Sequence, residues 1–222
     1  MSAAADERPA GDGARDRARA LALTPVSRET LARLDAFVAL LLTWQARTNL
    51  VAPSTLPYLW TRHVADSLQL LPLASQARTW IDIGSGGGFP GLAVAIAAPP
   101  GTAVHLVESN AKKAAFLREA ARATGAPAQV HPVRMERFVQ EFRGAADVVT
   151  ARAVAPLADL LAYAEPFLKR GAQALFLKGQ DVEAELTKAA KCWTIEATLI
   201  PSRTDPAGRI AVVRKAERHR SL

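Results

Sequence analysis

From residue 79 onward, short apolar runs alternate with longer stretches in which apolar residues recur every three or four positions. The short runs predict strands at 79–83, 104–108, 128–132, 146–150 and 172–178. The periodic stretches predict helices at 90–98, 111–124, 136–142, 156–169 and 181–190. Two later runs, 193–200 and 209–213, flank a turn with Pro and Gly and predict an antiparallel hairpin. This alternation predicts an α/β fold whose seven-stranded, mostly parallel sheet is covered on both faces.

The chain before this series predicts a helical extension over residues 25–74. Ser27 is placed to cap a helix that continues to about Trp44, and Ser54 to cap a second helix with apolar positions as far as Leu71. The second helix carries four polar side chains on neighbouring turns: Arg62, His63, Asp66 and Ser67. Residues 1–24 show no sustained apolar face, so we expect a disordered tail there, and we expect residues 75–222 to form the main domain.

A glycine-rich turn follows the first predicted strand and precedes a helix, the arrangement that binds nucleotide-like ligands. Its glycines are Gly84, Gly86 and Gly88, and the third glycine of a dinucleotide fingerprint would fall on Phe89. The turn has no Gly-Lys-Ser/Thr, and no Lys or Arg lies between residues 79 and 100, which disfavours a triphosphate. S-adenosylmethionine (AdoMet) therefore suits the turn best, although a glycine turn without a ligand stays open.

The second predicted strand ends in an acid at the position where such folds bind a ribose. Glu108 follows Gly84 by 24 residues, close to the separation of about 20 at which an acid meets the ribose hydroxyls. A solvated acid at a strand end is the alternative. Together, Glu108 and the glycine turn favour an adenosyl ligand over a structural turn.

Composition and charge indicate the compartment and the possible partners of the protein, but they do not identify a reaction. The 222 residues carry a net charge of +7, which is compatible with nucleic-acid binding but also with an ordinary solvated basic surface. The single cysteine, Cys192, excludes an internal disulfide framework, and the four scattered histidines predict no metal site. No apolar run is long enough to span a bilayer and no signal peptide is evident, so we expect a cytoplasmic protein.

These motifs together resemble a known family. The sheet, glycine turn and acid resemble the class I AdoMet-dependent methyltransferases, which are Rossmann-like. Over residues 27–215 the chain further resembles the bacterial 16S rRNA methyltransferase G family, also called RsmG or GidB. The matching motifs are Asn49-Leu50, Arg62-His63-x-x-Asp66-Ser67, the loop 84–91, Met135-Glu136, Arg152-Ala153 and Leu177-Lys178-Gly179-Gln180.

The resemblance implies a reaction, a cofactor and a partner. Family members transfer the AdoMet methyl group to N7 of one guanine (position 527) in the 530 loop of 16S rRNA. The partner would be 16S rRNA or the small ribosomal subunit, with no membrane, and a monomer is expected. The resemblance implies cofactor contacts at Gly84, Phe89, Met135, Glu136 and Arg152.

Guanine N7 carries a lone pair and no proton, so its methylation requires alignment rather than a general base. We expect Arg152, Lys178 and His63 to position the base, and Asn49, Arg62, His63 and Lys178 to contact RNA. Arg62, Arg152 and Lys178 could instead be solvated charges at the sheet edge, and His63 could be a solvated charge or a partly buried, hydrogen-bonded helix residue.

Other chemistries find less support in the sequence. Residues 150–154 lack the Asn/Asp-Pro-Pro-aromatic motif of amine methyltransferases, and Cys192 is placed too late for a pyrimidine-C5 nucleophile. Three rival functions stay open: a small-molecule AdoMet methyltransferase, a non-catalytic RNA-binding assembly factor and, least supported, a nicotinamide dehydrogenase.

Overall fold

The computed structural model describes residues 12–219, which form a helical N-terminal part and a seven-stranded α/β part. The N-terminal part begins with α1 (Asp12–Leu23) and α2 (Arg28–Gln45). A continuous irregular helix follows, consisting of a 3₁₀ segment (Pro53–Tyr58), a π segment (Trp60–Ala65) and the single α turn α3 (Asp66–Leu68). A further 3₁₀ turn (Leu71–Ala74) leads into the sheet.

The sheet has the strand order β3-β2-β1-β4-β5-β7-β6. Its strands are β1 (Thr79–Ile83), β2 (Ala103–Val107), β3 (Ala128–His131), β4 (Val148–Arg152), β5 (Gln173–Lys178), β6 (Trp193–Pro201) and β7 (Arg209–Arg218). β1 to β5 pair in parallel, and β7 runs antiparallel to both β5 and β6. The predicted α/β class, seven-stranded sheet and C-terminal hairpin are therefore confirmed.

Helices cover both faces of the sheet. They are α4 (Gly91–Ala97), α5 (Ala111–Thr124), α6 (Met135–Glu141), α7 (Leu157–Leu168) and α8 (Val182–Ala189). Alternate residues of β1 enter opposite cores: Trp80 packs with α2, α4 and α5, whereas Ile81 and Ile83 pack with α6 and α7. Because both faces of β1 are buried, its apolar residues Trp80, Ile81 and Ile83 enter both cores and do not simply alternate with exposed polar residues.

Two N-terminal predictions need correction. Residues 12–23 form α1 rather than a disordered tail, because Ala20 is buried in the core and Asp16 bonds to the π segment; residues 1–11 lie outside the described part. The helix predicted from Ser54 to Leu71 is continuous as far as Leu68, but its hydrogen bonding changes from 3₁₀ to π to α along its length. Its first turns are 3₁₀ and contain Pro57, which has no N–H to donate, and a π segment follows.

Two strand boundaries also differ from prediction. β4 ends at Arg152 rather than at residue 150, so Arg152 belongs to the strand end and pairs with Leu177 of β5. β7 continues to Arg218, five residues further than predicted, because β6 pairs with it along its whole length. None of the helices within residues 12–219 combines the length and the apolar character needed to span a bilayer.

Candidate active site

A cleft of about 750 Å³ opens at the carboxyl edge of the parallel strands. This is where open α/β sheets bind ligands. One part of the lining comprises the glycine loop, the end of β2 and the start of α6. It includes Gly84, Gly86, Phe89, Glu108, Met135 and Glu136, and we call it the cofactor wall because the sequence predicts cofactor contacts at these residues. A second part comprises the π segment, the ends of β4 and β5 and the hairpin loop. It includes Arg62, His63, Asp66, Arg152, Lys178 and Asp205, and we call it the substrate wall because most of the predicted RNA contacts lie on it.

The glycine loop takes a backbone path that side chains rarely allow. Gly84, Gly86 and Gly88 have φ of 66°, 51° and 90°. A Cβ at Gly84 would lie 2.5 Å from Cγ2 of Val154 in the substrate wall, whereas one at Gly86 would meet nothing closer than 3.7 Å. The loop is tied down where Ser85 N donates to Val107 O at 3.0 Å. Glycine is therefore required at 84 by both conformation and space.

Glu108 joins the glycine loop to the start of α5. Its Oε2 accepts from Gly86 N at 2.9 Å and its Oε1 from Asn110 N at 2.7 Å. Asn110 in turn caps α5 by accepting from the backbone N–H groups of residues 112 and 113. Each carboxylate oxygen has a second lone pair, so Glu108 can still accept hydroxyl hydrogen bonds from the cleft.

Asp82 is a site-supporting residue that the sequence analysis missed. It is 1% exposed, and it accepts from Thr150 Oγ1 at 2.8 Å and from Gly91 N at 3.1 Å. Burial raises its pKa to about 6, against the opposing effect of these hydrogen bonds. The available signal was an acid inside an otherwise apolar strand, since a buried carboxylate must find partners.

The start of α6 supplies a contrasting pair of side chains. Met135 is 9% exposed and packs with the core beneath α6 and α7, while Glu136 is exposed. Glu136 Oε1 accepts from the Tyr163 hydroxyl at 2.7 Å, and this hydrogen bond lowers the Glu136 pKa. Tyr163, on α7, also lines the cleft and was not identified from the sequence. The cofactor wall thus offers an apolar surface at Met135 beside polar groups at its edge.

Arg152 is the centre of the substrate wall. Its guanidinium donates to Arg62 O at 2.7 Å and to Nδ1 of His63, and it lies 3.5 Å from Asp66 Oδ2. It also lies over the Phe89 ring, 5.4 Å from the ring centroid. These contacts join β4, the π segment and the glycine loop. The segment that carries Arg62, His63 and Asp66 is therefore part of the cleft, not a separate extension.

His63 is held as a neutral imidazole. It is 7% exposed, and its Nε2 lies 2.7 Å from Thr55 Oγ1 while Nδ1 accepts from Arg152. Because Nδ1 is an acceptor, Nε2 carries the proton and donates to Thr55. Burial, and then the positive charges of Arg152 and Arg62, lower the His63 pKa to about 3. Both ring nitrogens are occupied, so His63 is not a free base.

The other predicted RNA contacts have different settings. Lys178 is not a free cation: its Nζ pairs with Glu185 Oε2 at 2.7 Å and donates to Ala155 O at 3.3 Å. Arg62 is 47% exposed and pairs with Asp205 of the hairpin loop. Asn49 is exposed but lies outside the cleft lining, and its Oδ1 accepts from Gln45 at 3.4 Å.

Ala153, immediately after Arg152, has φ of 52°, a left-handed conformation that is uncommon for a residue with a Cβ. It lines the cleft and is exposed, and nothing in the sequence signals its conformation. The turn at Ala153 redirects the chain from β4 into the loop that carries Val154 over Gly84. Such backbone strain concentrates at functional sites.

The cofactor wall fits an adenosyl group. The glycine loop leaves room at Gly86, Glu108 provides acceptors for hydroxyls, and Met135 provides an apolar surface. No group of three or more His, Cys, Asp or Glu in residues 12–219 is arranged to hold a metal ion.

Comparisons with known proteins place this architecture in context. The GidB family model, described as rRNA small subunit methyltransferase G, matches residues 30–205. A Bradyrhizobium sp. (strain BTAi1) protein named "Ribosomal RNA small subunit methyltransferase G" is 64% identical over 208 residues, covering 93% of this chain and 94% of its own. A protein of the same name from Nitrobacter hamburgensis is 62% identical, covering 92% and 80%.

Solved structures share the fold at low sequence identity. Cofactor-bound Rv0187 from MTB has a TM-score of 0.59 at 17% identity, covering 94% of this chain and all of its own. The O-methyltransferase from Bacillus cereus in complex with SAH has a TM-score of 0.56 at 17% identity, covering 91% and 97%. These two likenesses concern the class I methyltransferase fold alone.

Proposed function

The chain belongs to the rRNA small subunit methyltransferase G family, and from that premise we propose that it methylates N7 of a guanine in the 530 loop of 16S rRNA. The methyl donor is AdoMet, whose sulfonium supplies an electrophilic methyl group. The substrate is 16S rRNA or a small-subunit particle that contains it. The family name supports an rRNA substrate in general, and the site chemistry supports the choice of atom.

In this proposal, different residues of the cofactor wall contact different parts of AdoMet. Glu108 is placed to accept the ribose hydroxyls while its two backbone donors hold it still. Met135 is placed to cover an adenine face, and the glycines at 84 and 86 let the backbone approach the ligand. All of these residues bind or orient, and none moves a proton.

The observation that carries the choice of N7 is the state of His63. The imidazole is the obvious base on the substrate wall, yet Arg152 and Thr55 occupy both of its nitrogens and its pKa is about 3. An exocyclic amine or a hydroxyl must lose a proton on methylation and so gains from a base nearby. Methylation at guanine N7 releases no proton, which agrees with a substrate wall whose side chains orient the base but remove no proton from it.

The substrate wall also suits an RNA target. Arg62 is half-exposed at the cleft and can exchange Asp205 for a phosphate. Arg152 presents a fixed guanidinium beside Phe89, where it can contact guanine O6 without occupying N7. The target guanine must be exposed in a loop, because a base stacked inside a helix cannot reach the cleft.

The test uses labelled AdoMet and small subunits from a strain that lacks this gene. Borohydride-aniline cleavage then maps 7-methylguanosine in the labelled rRNA. A single cut in the 530 loop supports the proposal in full. Label in rRNA without cleavage rejects N7 and retains the methyltransferase. Binding of AdoMet with no transfer to subunits or free rRNA rejects the proposal in favour of a small-molecule substrate or a non-catalytic role.

A further inference from the structure

We propose that Asp16 of α1 is a positioning residue for the substrate wall, because it holds the π segment that carries Arg62 and His63. The expected effect on methylation rests on the proposed function, whereas the expected effect on the position of Arg62 and His63 rests on the geometry alone. Asp16 lies outside residues 30–205, the part of the chain that the family model matches. It also lies in the stretch for which the sequence indicates neither structure nor function.

Asp16 is 7% exposed, which is unusual for an acid on a terminal helix. Its Oδ2 accepts from Trp60 N at 2.8 Å and from Thr61 N at 3.2 Å. Its Oδ1 accepts from the Thr61 hydroxyl. One buried carboxylate thus meets three donors, all from the first two residues of the π segment.

Irregular helices create a need for such an acceptor. When a helix changes from 3₁₀ to π hydrogen bonding, N–H groups at the junction lose their partners within the helix. Here the change falls between Tyr58 and Trp60. Asp16 supplies the acceptor from 44 residues earlier in the chain.

The held segment leads directly to the site. Arg62 follows Thr61 and accepts the Arg152 guanidinium through its backbone oxygen at 2.7 Å. His63 accepts the same guanidinium through Nδ1, and its ring lies 5.1 Å from the Phe89 ring, centroid to centroid. A shift or rotation of the segment would therefore move the Arg62 and His63 acceptors of Arg152 together. Asp16 acts through Arg62 and His63, whereas the hydrogen bonds of Glu108 are with the backbone of Gly86 and Asn110.

The chain offers a matched control on the same helix. Arg17 pairs with Asp35 of α2 at 2.7 Å, and both side chains are about two-fifths exposed. Asp35→Ala removes this ion pair between α1 and α2 and alters neither Asp16 nor Arg17, which also lies over the Trp60 ring at 5.2 Å. Asp16→Asn is the conservative variant: its remaining oxygen can accept from both backbone N–H groups, and its amide can donate to Thr61 Oγ1.

The experiment compares the full-length wild type, Asp16→Ala, Asp16→Asn and Asp35→Ala. Three quantities are measured: the Kd for AdoMet, kcat/KM for small subunits, and the titration midpoint of His63 by ¹⁵N NMR. For Asp16→Ala we expect kcat/KM to fall about tenfold, since small misplacements of positioning groups lower rates strongly. We expect the AdoMet Kd to change by less than about twofold, and the His63 midpoint to rise towards 6.5.

Asp16→Asn should keep kcat/KM within about threefold of the wild type, and Asp35→Ala should leave the His63 midpoint unchanged. Equal effects of Asp16→Ala and Asp35→Ala on all three measurements would overturn the inference and leave the proposed function standing. If the wild type itself methylates no RNA, the proposed function fails. The His63 midpoint then decides the inference alone: a rise in Asp16→Ala supports it, and no rise overturns it.

Discussion

Replacing His63 by Gln should flatten the dependence of stability on pH. In the folded protein the His63 pKa is lowered to about 3, because the ring is buried and two guanidinium groups lie near it. In the unfolded chain the pKa returns to about 6.5. A lowered folded-state pKa means that the unfolded chain binds the proton first. The stabilisation is therefore complete above about pH 6.5 and is lost as the pH falls from there towards 3.

The magnitude follows from the two pKa values. A pH of 5.0 is about 1.5 units below the pKa of the histidine in the unfolded chain. Each of these units lowers the free energy of unfolding by about 1.36 kcal/mol. His63 should therefore remove about 2 kcal/mol of unfolding free energy between pH 7.5 and pH 5.0, while the folded ring stays neutral throughout. Asp82 acts in the opposite direction, because its raised pKa of about 6 lets the folded state bind a proton before the unfolded state does.

The assay is urea unfolding followed by tryptophan fluorescence at several pH values from 7.5 to 5.0. The difference between the wild type and His63→Gln isolates His63, because the Asp82 contribution is common to both. His105→Gln is the control: His105 also has a lowered pKa but is only half-buried, so it should change the pH dependence less. If the unfolding free energies of the wild type and His63→Gln changed with pH in parallel, within about 0.5 kcal/mol, this would refute a neutral imidazole with hydrogen bonds at both nitrogens.

Three further predictions concern the two walls of the cleft. Glu108→Ala should weaken AdoMet binding about tenfold or more in calorimetry while leaving RNA affinity unchanged, because Glu108 lies on the cofactor wall. Gly84→Ala should lower unfolding stability by about 1–3 kcal/mol, and adding Val154→Ala should restore part of it in chemical denaturation, because Val154 is the nearest obstacle. Lys178→Ala should reduce methylation of subunits and leave the AdoMet Kd nearly unchanged. Equal losses of methylation and of AdoMet binding would reject the assignment of Lys178 to RNA. The variant also removes the cation that pairs with Glu185.

The sheet and the cofactor wall were predictable because their determinants are local in the sequence. A strand buried on both faces carries apolar residues on both, as Trp80 and Ile81 do in β1, and a helix start such as Ser27 is visible as a cap. Gly84 and Glu108 are each fixed by the strand that they follow. Since parallel strands end at the same edge, their meeting in space follows from the order of strands alone.

The substrate wall was only partly predictable, because its side chains depend on partners far along the chain. The sequence singles out Arg152, Lys178 and His63 but does not show that Glu185 holds Lys178 or that Arg152 holds His63. Ala153 gives no signal at all, since its left-handed backbone is imposed by the loop that it enters. Each of these features depends on pairwise geometry, which neither periodicity nor composition encodes.

α1 shows how a short element can matter without an obvious pattern. α1 is polar on average and adds little to the core beyond Ala20 and Leu21, and the polar contacts of Asp16 and Arg17 also hold it in place. Polar contacts of this kind are specific in direction and have no period along the sequence. They can fix the orientation of the π segment more tightly than apolar packing, which tolerates sliding. On the inference above, this mostly polar helix therefore orients the segment whose His63 pairs with Arg152.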